Sequence, residues 1–211
     1  MRAANVLKAV ETVACEDTRR CRILLRHIDA SPGELLSLHD QNEGPAARRV
    51  MHRLSGGKDV ALVSDAGTPR LSDPGFELVR AAHDARIAVS PIPGPSALTA
   101  ALSASPLPAA PCTFEGFLPA RKGPRRQALT KLLRRRETTV FFEAPHRLAG
   151  TLAELEDLGA GERQITVCRE MTKAFETIVH GRVAAALTRI GPLRGEFVCV
   201  LEGSGEPPPS G

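Results

Sequence analysis

The sequence predicts an α/β protein built from two domains, and three observations predict it. Short apolar runs alternate with amphipathic stretches through the first half of the chain, an order that builds a largely parallel sheet joined by crossover helices. Two of those runs stop abruptly at loops rich in Gly and Pro, "SDAGTPRLSDPG" at Ser64–Gly75 and "PIPGPSA" at Pro91–Ala97. A proline-rich joint, "SPLPAAPC" at Ser105–Cys112, then separates this half from a second set of strand-like runs. The expected limits are residues 1–108 and 112–203, with 204–211, "SGEPPPSG", as a disordered tail. At 211 residues, 42% hydrophobic and 25% charged, the chain is long enough for two cores of about 100 residues each.

Taken in order, "VLKAVETVACE" passes from a helix into a strand near Thr12–Cys15, and "TRRCRILLRHI" reads as a basic helix. "ELLSLH" is a short strand, and "PAARRVMHRLSGG" a helix closed by glycine. The run Asp59–Val63 has the continuous apolar character of a parallel strand, and hydrophobicity ends at Ser64. Next come a helix in "PGFELVRAAHDA", a strand in "RIAVSPIP" and a helix in "PSALTAALSAS", which Ser96 is placed to cap. Past the joint, "CTFEGFL", "TTVFFEA", "QITVCRE" and "EFVCVLEG" read as strands, with helices over 124–136, 146–158 and 183–190.

Composition narrows the function. Five cysteines, odd in number and never spaced as CxxC, indicate neither a disulfide framework nor a zinc site, which suits a reducing cytoplasm, and no metal is expected. No run of eighteen apolar residues and no secretory leader pattern occur, so no membrane association is expected. The formal charge of +4 is unevenly spread. "GFLPARKGPRRQALTKLLRRR" carries Arg121, Lys122, Arg125, Arg126, Lys131, Arg134, Arg135 and Arg136 with no acid, and without those eight the charge becomes −4. Leu129, Leu132 and Leu133 give the block an apolar stripe at helical spacing, so it reads as an amphipathic helix facing a polyanion or simply water. Trp and Tyr are absent, which leaves nucleic-acid recognition to Arg, phosphates and shape.

In open α/β sheets ligands bind beyond the carboxyl ends of strands, and both Gly/Pro loops occupy that position. Gly67, Gly75 and Gly94 let backbone approach a ligand, while the prolines stiffen the loops; ordinary turn chemistry is the alternative for each. Neither GxGxxG nor GxxxxGKS occurs. Eight segments in this order, "EDTRR", "SLHDQNE", "ALVSDAGTPRLSDPG", "PIPGPSALTAAL", "EGFLPARKGPRR", "FFEAPHRL", "REMTKAFET" and "GEFVCVLEG", resemble the bacterial small-subunit ribosomal RNA 2′-O-ribose cytidine methyltransferases, a family of the tetrapyrrole methylase superfamily. The resemblance runs from Asn5 to Gly203. It implies two α/β domains, S-adenosylmethionine in the cleft between them, a homodimer, and small ribosomal subunit RNA as partner.

By the same resemblance Ala66, Gly67 and Thr68 fall where relatives set backbone against the cofactor, and Leu71 where an apolar contact follows. Ser96 and Ala97 match the helix-start pair, and Glu143 and Met171 the contacts from the second domain. Asp65 and Asp73 either order the loop or meet the cofactor's cation. Relatives begin with an extra strand and a Pro-Ile-Gly-Asn-Leu type loop, so the N-terminal sheet is expected to lack its first strand, leaving either an enzyme or a shortened, inactive RNA-binding relative. A methyltransferase acting on a small tetrapyrrole is the other reading, one with no use for the basic block. Because a sulfonium methyl is already activated, side chains need only place a ribose 2′-oxygen, exclude water and accept a proton. Asp17, Glu170 and Lys173 are the candidates for catalysis, with Glu16 and His146 behind them. Each also has a structural reading, as a helix cap or a surface pair. Arg19, Arg121, Lys122, Arg125, Arg126 and Arg147, with Arg169, are the candidates for RNA phosphates.

Overall fold

The computed structural model describes residues 1–205, and the chain divides into two compact units, Met1–Ser96 and the remainder from Ala97. The expected tail lies, from Glu206 on, outside the described residues.

The first unit runs α1 (Arg2–Ala9), β1 (Thr12–Cys15), α2 (Thr18–His27), β2 (Glu34–Ser37), α3 (Glu43–Ser55), β3 (Val60–Val63) and α4 (Phe76–Asp84). Its three strands are parallel in the order β2-β1-β3, with Thr12 opposite both Glu34 and Val60. Side chains alternate across a strand, so Val13 and Cys15 face one way and Ala14 the other. Val13 and Cys15 pack with Leu7 of α1 and with Cys21 and Leu25 of α2. Ala14 packs with Ala46, Ala47 and Val50 of α3 and with Leu78 of α4. The i, i+4 spacing of Cys21 and Leu25 is what turns the arginines of α2 outward. β1 is therefore buried throughout, whereas β2 and β3 are only partly covered.

One expected strand of this unit does not form. Residues 86–93, "RIAVSPIP", have no regular structure, and Val89 is exposed. Pro91 and Pro93 cannot donate to a ladder, and the three apolar residues between them and Arg86, Ile87, Ala88 and Val89, bury too little to hold an edge in place.

The second unit runs α5 (Ala97–Ala104), β4 (Cys112–Phe117), α6 (Lys122–Leu132), β5 (Thr138–Glu143), α7 (Pro145–Leu155) with a π-helical turn at Glu156–Ala160, β6 (Gln164–Arg169), β7 (Thr177–Arg182), α8 (Val183–Arg189) and β8 (Phe197–Leu201). The sheet order is β4-β5-β8-β6-β7, and only β4 and β5 run parallel. β7 escapes a sequence reading because it is an edge strand with one buried residue, Val179, set between exposed Ile178 and half-buried His180. On one face Phe141, Ile165, Val167, Cys199 and Leu201 meet leucines of α6 and α7 and Val183 and Ala186 of α8. On the other, Val140, Cys168, Val198 and Val200 meet Ala101 of α5 and Leu107. That second face explains the division after Ser96, where the sequence suggests the proline-rich joint: α5 is needed to cover the mixed sheet. Each fully buried Leu or Phe contributes about 1.5–3 kcal/mol of transfer free energy.

Candidate functional site

At the carboxyl ends of β1 and β3 the structure brings together three loops of the first unit. Asp17 caps α2, its Oδ1 accepting from the Arg19 backbone N–H at 2.8 Å, and the Arg19 guanidinium closes on the same carboxylate at 2.7 and 3.1 Å. The Asp17 backbone N–H in turn donates to Asp65 Oδ1 at 3.1 Å, and Arg20 lies 3.6 Å from the other oxygen of Asp65. Thr68 Oγ1 donates to the Pro95 carbonyl at 2.9 Å, which ties the Ser64–Gly75 loop to the Pro91–Ser96 loop. The two Gly/Pro loops singled out in the sequence are thus joined, and Asp65 ties the first of them to the start of α2.

The long loop is shaped by backbone. Gly67, Arg70 and Ser72 all have φ between 68° and 73°, and Gly75 has φ 123°. Such a conformation costs a residue with a side chain of order 1–3 kcal/mol, and Arg70 and Ser72 are held in it by their surroundings. Gly75 needs its freedom twice over, because a Cβ there would lie 2.7 Å from Leu62 Cδ2. Its N–H and that of Glu77 both donate to Glu43 Oε1 at 2.8 Å, so α3 fixes the start of α4. Gly67 is different: its φ is left-handed, yet nothing stands within 4 Å of where a Cβ would be. Ala66 and Gly67 are exposed and Leu71 is 39% exposed, so the loop presents bare backbone and one apolar side chain to open space. Inside it, burial pushes the Asp73 carboxyl up to about 6, helped by the charges of Glu16, Asp40 and Asp65 and opposed by a hydrogen bond from Ser64.

The second unit treats its expected contacts unequally. Ala97 and Met171 both pack at the margin of the cluster around Val140 and Cys168, so these two positions, 74 residues apart in the chain, share a surface. Glu143, at the end of β5, is 1% exposed. Its Oε1 accepts from the Ala144 N–H at 2.8 Å and pairs with Arg147 at 2.7 Å, while Oε2 accepts from Thr151 at 2.7 Å. The carboxylate is spent on starting α7. Arg147 is correspondingly only 14% exposed at its side chain, which removes it from the expected phosphate contacts.

Arg125 also departs from expectation. It lies inside, holding Glu154 of α7 through Nε and Nη2 at 3.2 and 2.9 Å, and the pair is nearly inaccessible. The helix needs one inward cation because the leucines beside it, Leu129 and Leu132, carry it down against α7. Arg135 is likewise paired, with Glu115. Arg169 donates to the Arg194 and Phe175 carbonyls and is buried. Exposed members of the basic block include Arg121, Lys122, Arg126, Lys131 and Arg134, and Arg19 of the first unit stays 86% exposed.

The candidates for catalysis are all held in their charged forms. Arg19 depresses the Asp17 carboxyl to about 2, first through its side chain and then through its backbone N–H. Asp17 thus also caps α2, the structural role open to it beside its expected one. The Glu196 backbone N–H and then Lys173 keep Glu170 below the ordinary carboxylate range. Burial works to lower Lys173, but its pairs with Glu196 at 3.0 Å and Glu170 at 3.1 Å outweigh it and raise the ammonium. Neither is poised to take a proton; both instead fix the loop after β6, where Glu170 and Thr172 have φ of 49° and 65°. His146 is exposed on the first turn of α7. Among the described residues there is no cluster suited to a metal ion and no helix long and apolar enough to cross a membrane, and all five cysteines are free.

Comparison with known proteins gives this arrangement a family. The model of the Tetrapyrrole (Corrin/Porphyrin) Methylases matches residues 1–187, and the chain belongs to that family. Over 97% of its length it is 47% identical to the Ribosomal RNA small subunit methyltransferase I of Xylella fastidiosa (strain Temecula1 / ATCC 700964), covering 76% of that protein. That similarity sets it among the methyltransferases of this branch. The fold also matches the uroporphyrin-III-C-methyltransferase of Thermus thermophilus, with TM-score 0.64 at 20% identity over 97% of this chain and 87% of that one. A second structure of a Thermus thermophilus uroporphyrin-III C-methyltransferase, complexed with S-adenyl homocysteine, matches with TM-score 0.58 at 18% identity over 95% and 89% of the two chains.

Proposed function

We propose that the protein transfers the methyl group of S-adenosylmethionine to the 2′-oxygen of a cytidine ribose in small-subunit ribosomal RNA, in the decoding region. The observation that carries the cofactor half is the loop Ser64–Gly75: Gly67 is left-handed with open space where its Cβ would be, Leu71 is exposed beside it, and Thr68 and Asp65 lock the loop to its neighbours. Backbone left bare to open space in this way suits a ligand packed against it. When bound, S-adenosylmethionine supplies a methyl group already activated by its sulfonium.

The chain's own residues then have a restricted task. Ala66, Gly67, Thr68 and Leu71 hold the cofactor in the first unit, with Ser96 at the end of that unit. In the second, Ala97 and Met171 offer the shared apolar margin described above, and Glu143 acts by fixing the backbone at the end of β5. Exposed Arg121, Lys122 and Arg126, together with Arg19, take RNA phosphates. Asp73, expected only to order the loop or meet the cofactor's cation, has its carboxyl raised to about 6 by burial, in the range of a group that takes up a proton near neutral pH. A cytoplasmic homodimer is part of the same reading. The relative's name, which specifies small-subunit ribosomal RNA, supports this substrate over a tetrapyrrole. The test is transfer of labelled methyl from S-adenosylmethionine to small ribosomal subunits that lack the modification, followed by mapping of the modified nucleotide. Gly67→Val should abolish cofactor binding by calorimetry while unfolding stays cooperative. Unchanged affinity would mean that another loop holds the cofactor.

A further inference from the structure

The loop between β6 and β7 is fixed at many points. The Glu170 N–H donates to the Glu196 carbonyl at 3.0 Å, and the Glu196 N–H returns to Glu170 Oε1 at 2.9 Å. The Thr172 N–H donates to Glu176 Oε2 at 2.6 Å, and the Glu176 N–H to the Lys173 carbonyl at 3.2 Å. Buried Arg169 reaches under the loop to the Phe175 carbonyl at 3.3 Å. Two non-glycine residues with left-handed φ, Glu170 and Thr172, persist only because these bonds hold them. At the tip of this tethered loop stands Phe175, 71% exposed.

Its exposure is not matched by any other phenylalanine. Phe141 and Phe197 are among the largest fully buried side chains. Phe114 and Phe117 both meet the Phe142 ring edge-on, at centroid distances of 5.0 and 5.4 Å. Phe76, though half exposed, lies under the guanidiniums of Arg70 and Arg80, each 5.6 Å from its centroid. With no Trp or Tyr in the chain, Phe175 is the exposed aromatic ring that has neither a ring nor a cation against it among the described residues. A bare aromatic ring on a tethered support offers a flat apolar face that another flat ring can cover.

We propose that Phe175 is a stacking platform for an unpaired base of the RNA substrate. The inference rests on the RNA-methyltransferase reading and adds a base contact to the phosphate contacts of the basic block. A nucleobase offers a π-face whatever its identity, so an exposed aromatic ring can stack on any base. A tethered loop loses little freedom on stacking, so most of the stacking energy is retained. Phe175 is a positioning residue in this scheme: it holds the stacked base and touches no reacting atom.

The experiment uses Phe175→Ala, Phe175→Leu and Phe175→Trp with unmethylated small ribosomal subunits. The first two abolish stacking on an aromatic ring, and KM for the RNA should rise roughly 5- to 150-fold, the span that base–aromatic stacking covers, with kcat little changed. Phe175→Trp should keep the wild-type KM. Since the chain holds no other Trp, its indole emission should be quenched when RNA is added. Melting temperature and S-adenosylmethionine affinity should stay at wild-type values in all three, because the ring supports nothing within its unit. The proposal is overturned if wild-type protein methylates the RNA but indole emission does not respond and Phe175→Ala has an unchanged KM. It is equally overturned if Phe175→Leu performs like wild type, which would make the contact merely apolar, or if Phe175→Ala changes the sedimentation of the free protein, which would make the ring a contact between copies. Absence of methyl transfer by the wild type would instead overturn the proposed function.

Discussion

Asp17 and Asp73 show how neighbours decide what a carboxyl group does. Both belong to acidic loops at strand ends, but Asp17 is ringed by N–H donors and held at about 2, while Asp73 is partly buried among other acids and raised to about 6. The sign of the second shift gives a testable consequence. Between pH about 4 and 6 the folded protein keeps a proton on Asp73 that the unfolded chain releases, so its contribution favours folding at low pH and is lost as the pH rises through 6. At 1.36 kcal/mol per pH unit this is at most about 3 kcal/mol, reduced by solvent screening. Asp73→Asn removes the titration. Its stability relative to wild type, followed by thermal unfolding across pH 4–7, should therefore climb by roughly 1–2 kcal/mol through that window and level off above it. A constant difference between the two proteins would contradict the burial of this carboxyl.

At the scale of elements, α6 combines a structural cation with exposed ones, and substitution separates them. Arg125 and Glu154 join α6 to α7 inside the second unit, so Arg125→Ala leaves a buried carboxylate without its partner and should cost about 3–5 kcal/mol in denaturant unfolding. Replacing both, Arg125→Met with Glu154→Leu, should restore most of that stability, because no buried charge is then left unpaired. Arg126, one residue on and exposed, should change stability by less than about 0.5 kcal/mol on conversion to Ala. Reversal of Arg121, Lys122, Arg126 and Arg134 to Glu should instead weaken RNA binding and flatten its dependence on salt by about 0.7–0.9 for each phosphate no longer neutralised, with S-adenosylmethionine affinity unmoved. An unaltered salt slope would make the exposed side of α6 no more than a solvated face.

For the whole molecule, burial differs between the two sheets in a way that hydrogen exchange can read. β8 lies between β5 and β6 with every residue buried, whereas β3 pairs only with β1 and none of its residues is fully buried. Amides of β8 should thus exchange through the largest opening free energy and those of β3 through a smaller one, since local stability follows the burial of apolar surface. Equal protection of the two strands would mean that the units unfold as one. Much of this organisation was legible in the sequence, because hydrophobic periodicity and Gly/Pro punctuation are local signals. They located α2, α3, α6 and α8, the strands at Thr12–Cys15 and Val60–Val63, and the loops Ser64–Gly75 and Pro91–Ala97. Position along the chain could not show which cation of "RKGPRRQ" turns inward, because that depends on Glu154, 29 residues away. Nor could it show that β7 exists, which needs the register Val167 to Val179, or that α5 covers the second sheet. The same holds for the chemistry of single groups. The sequence by itself determined most of the elements and the Gly/Pro loops between them, through steric and hydrophobic preferences that each segment carries alone; tertiary structure decided that residues 86–93 form no strand and that β7 does, which charges are free, which carboxyls are shifted and which exposed aromatic ring is left bare, because pairing, burial and electrostatics depend on what distant segments bring alongside.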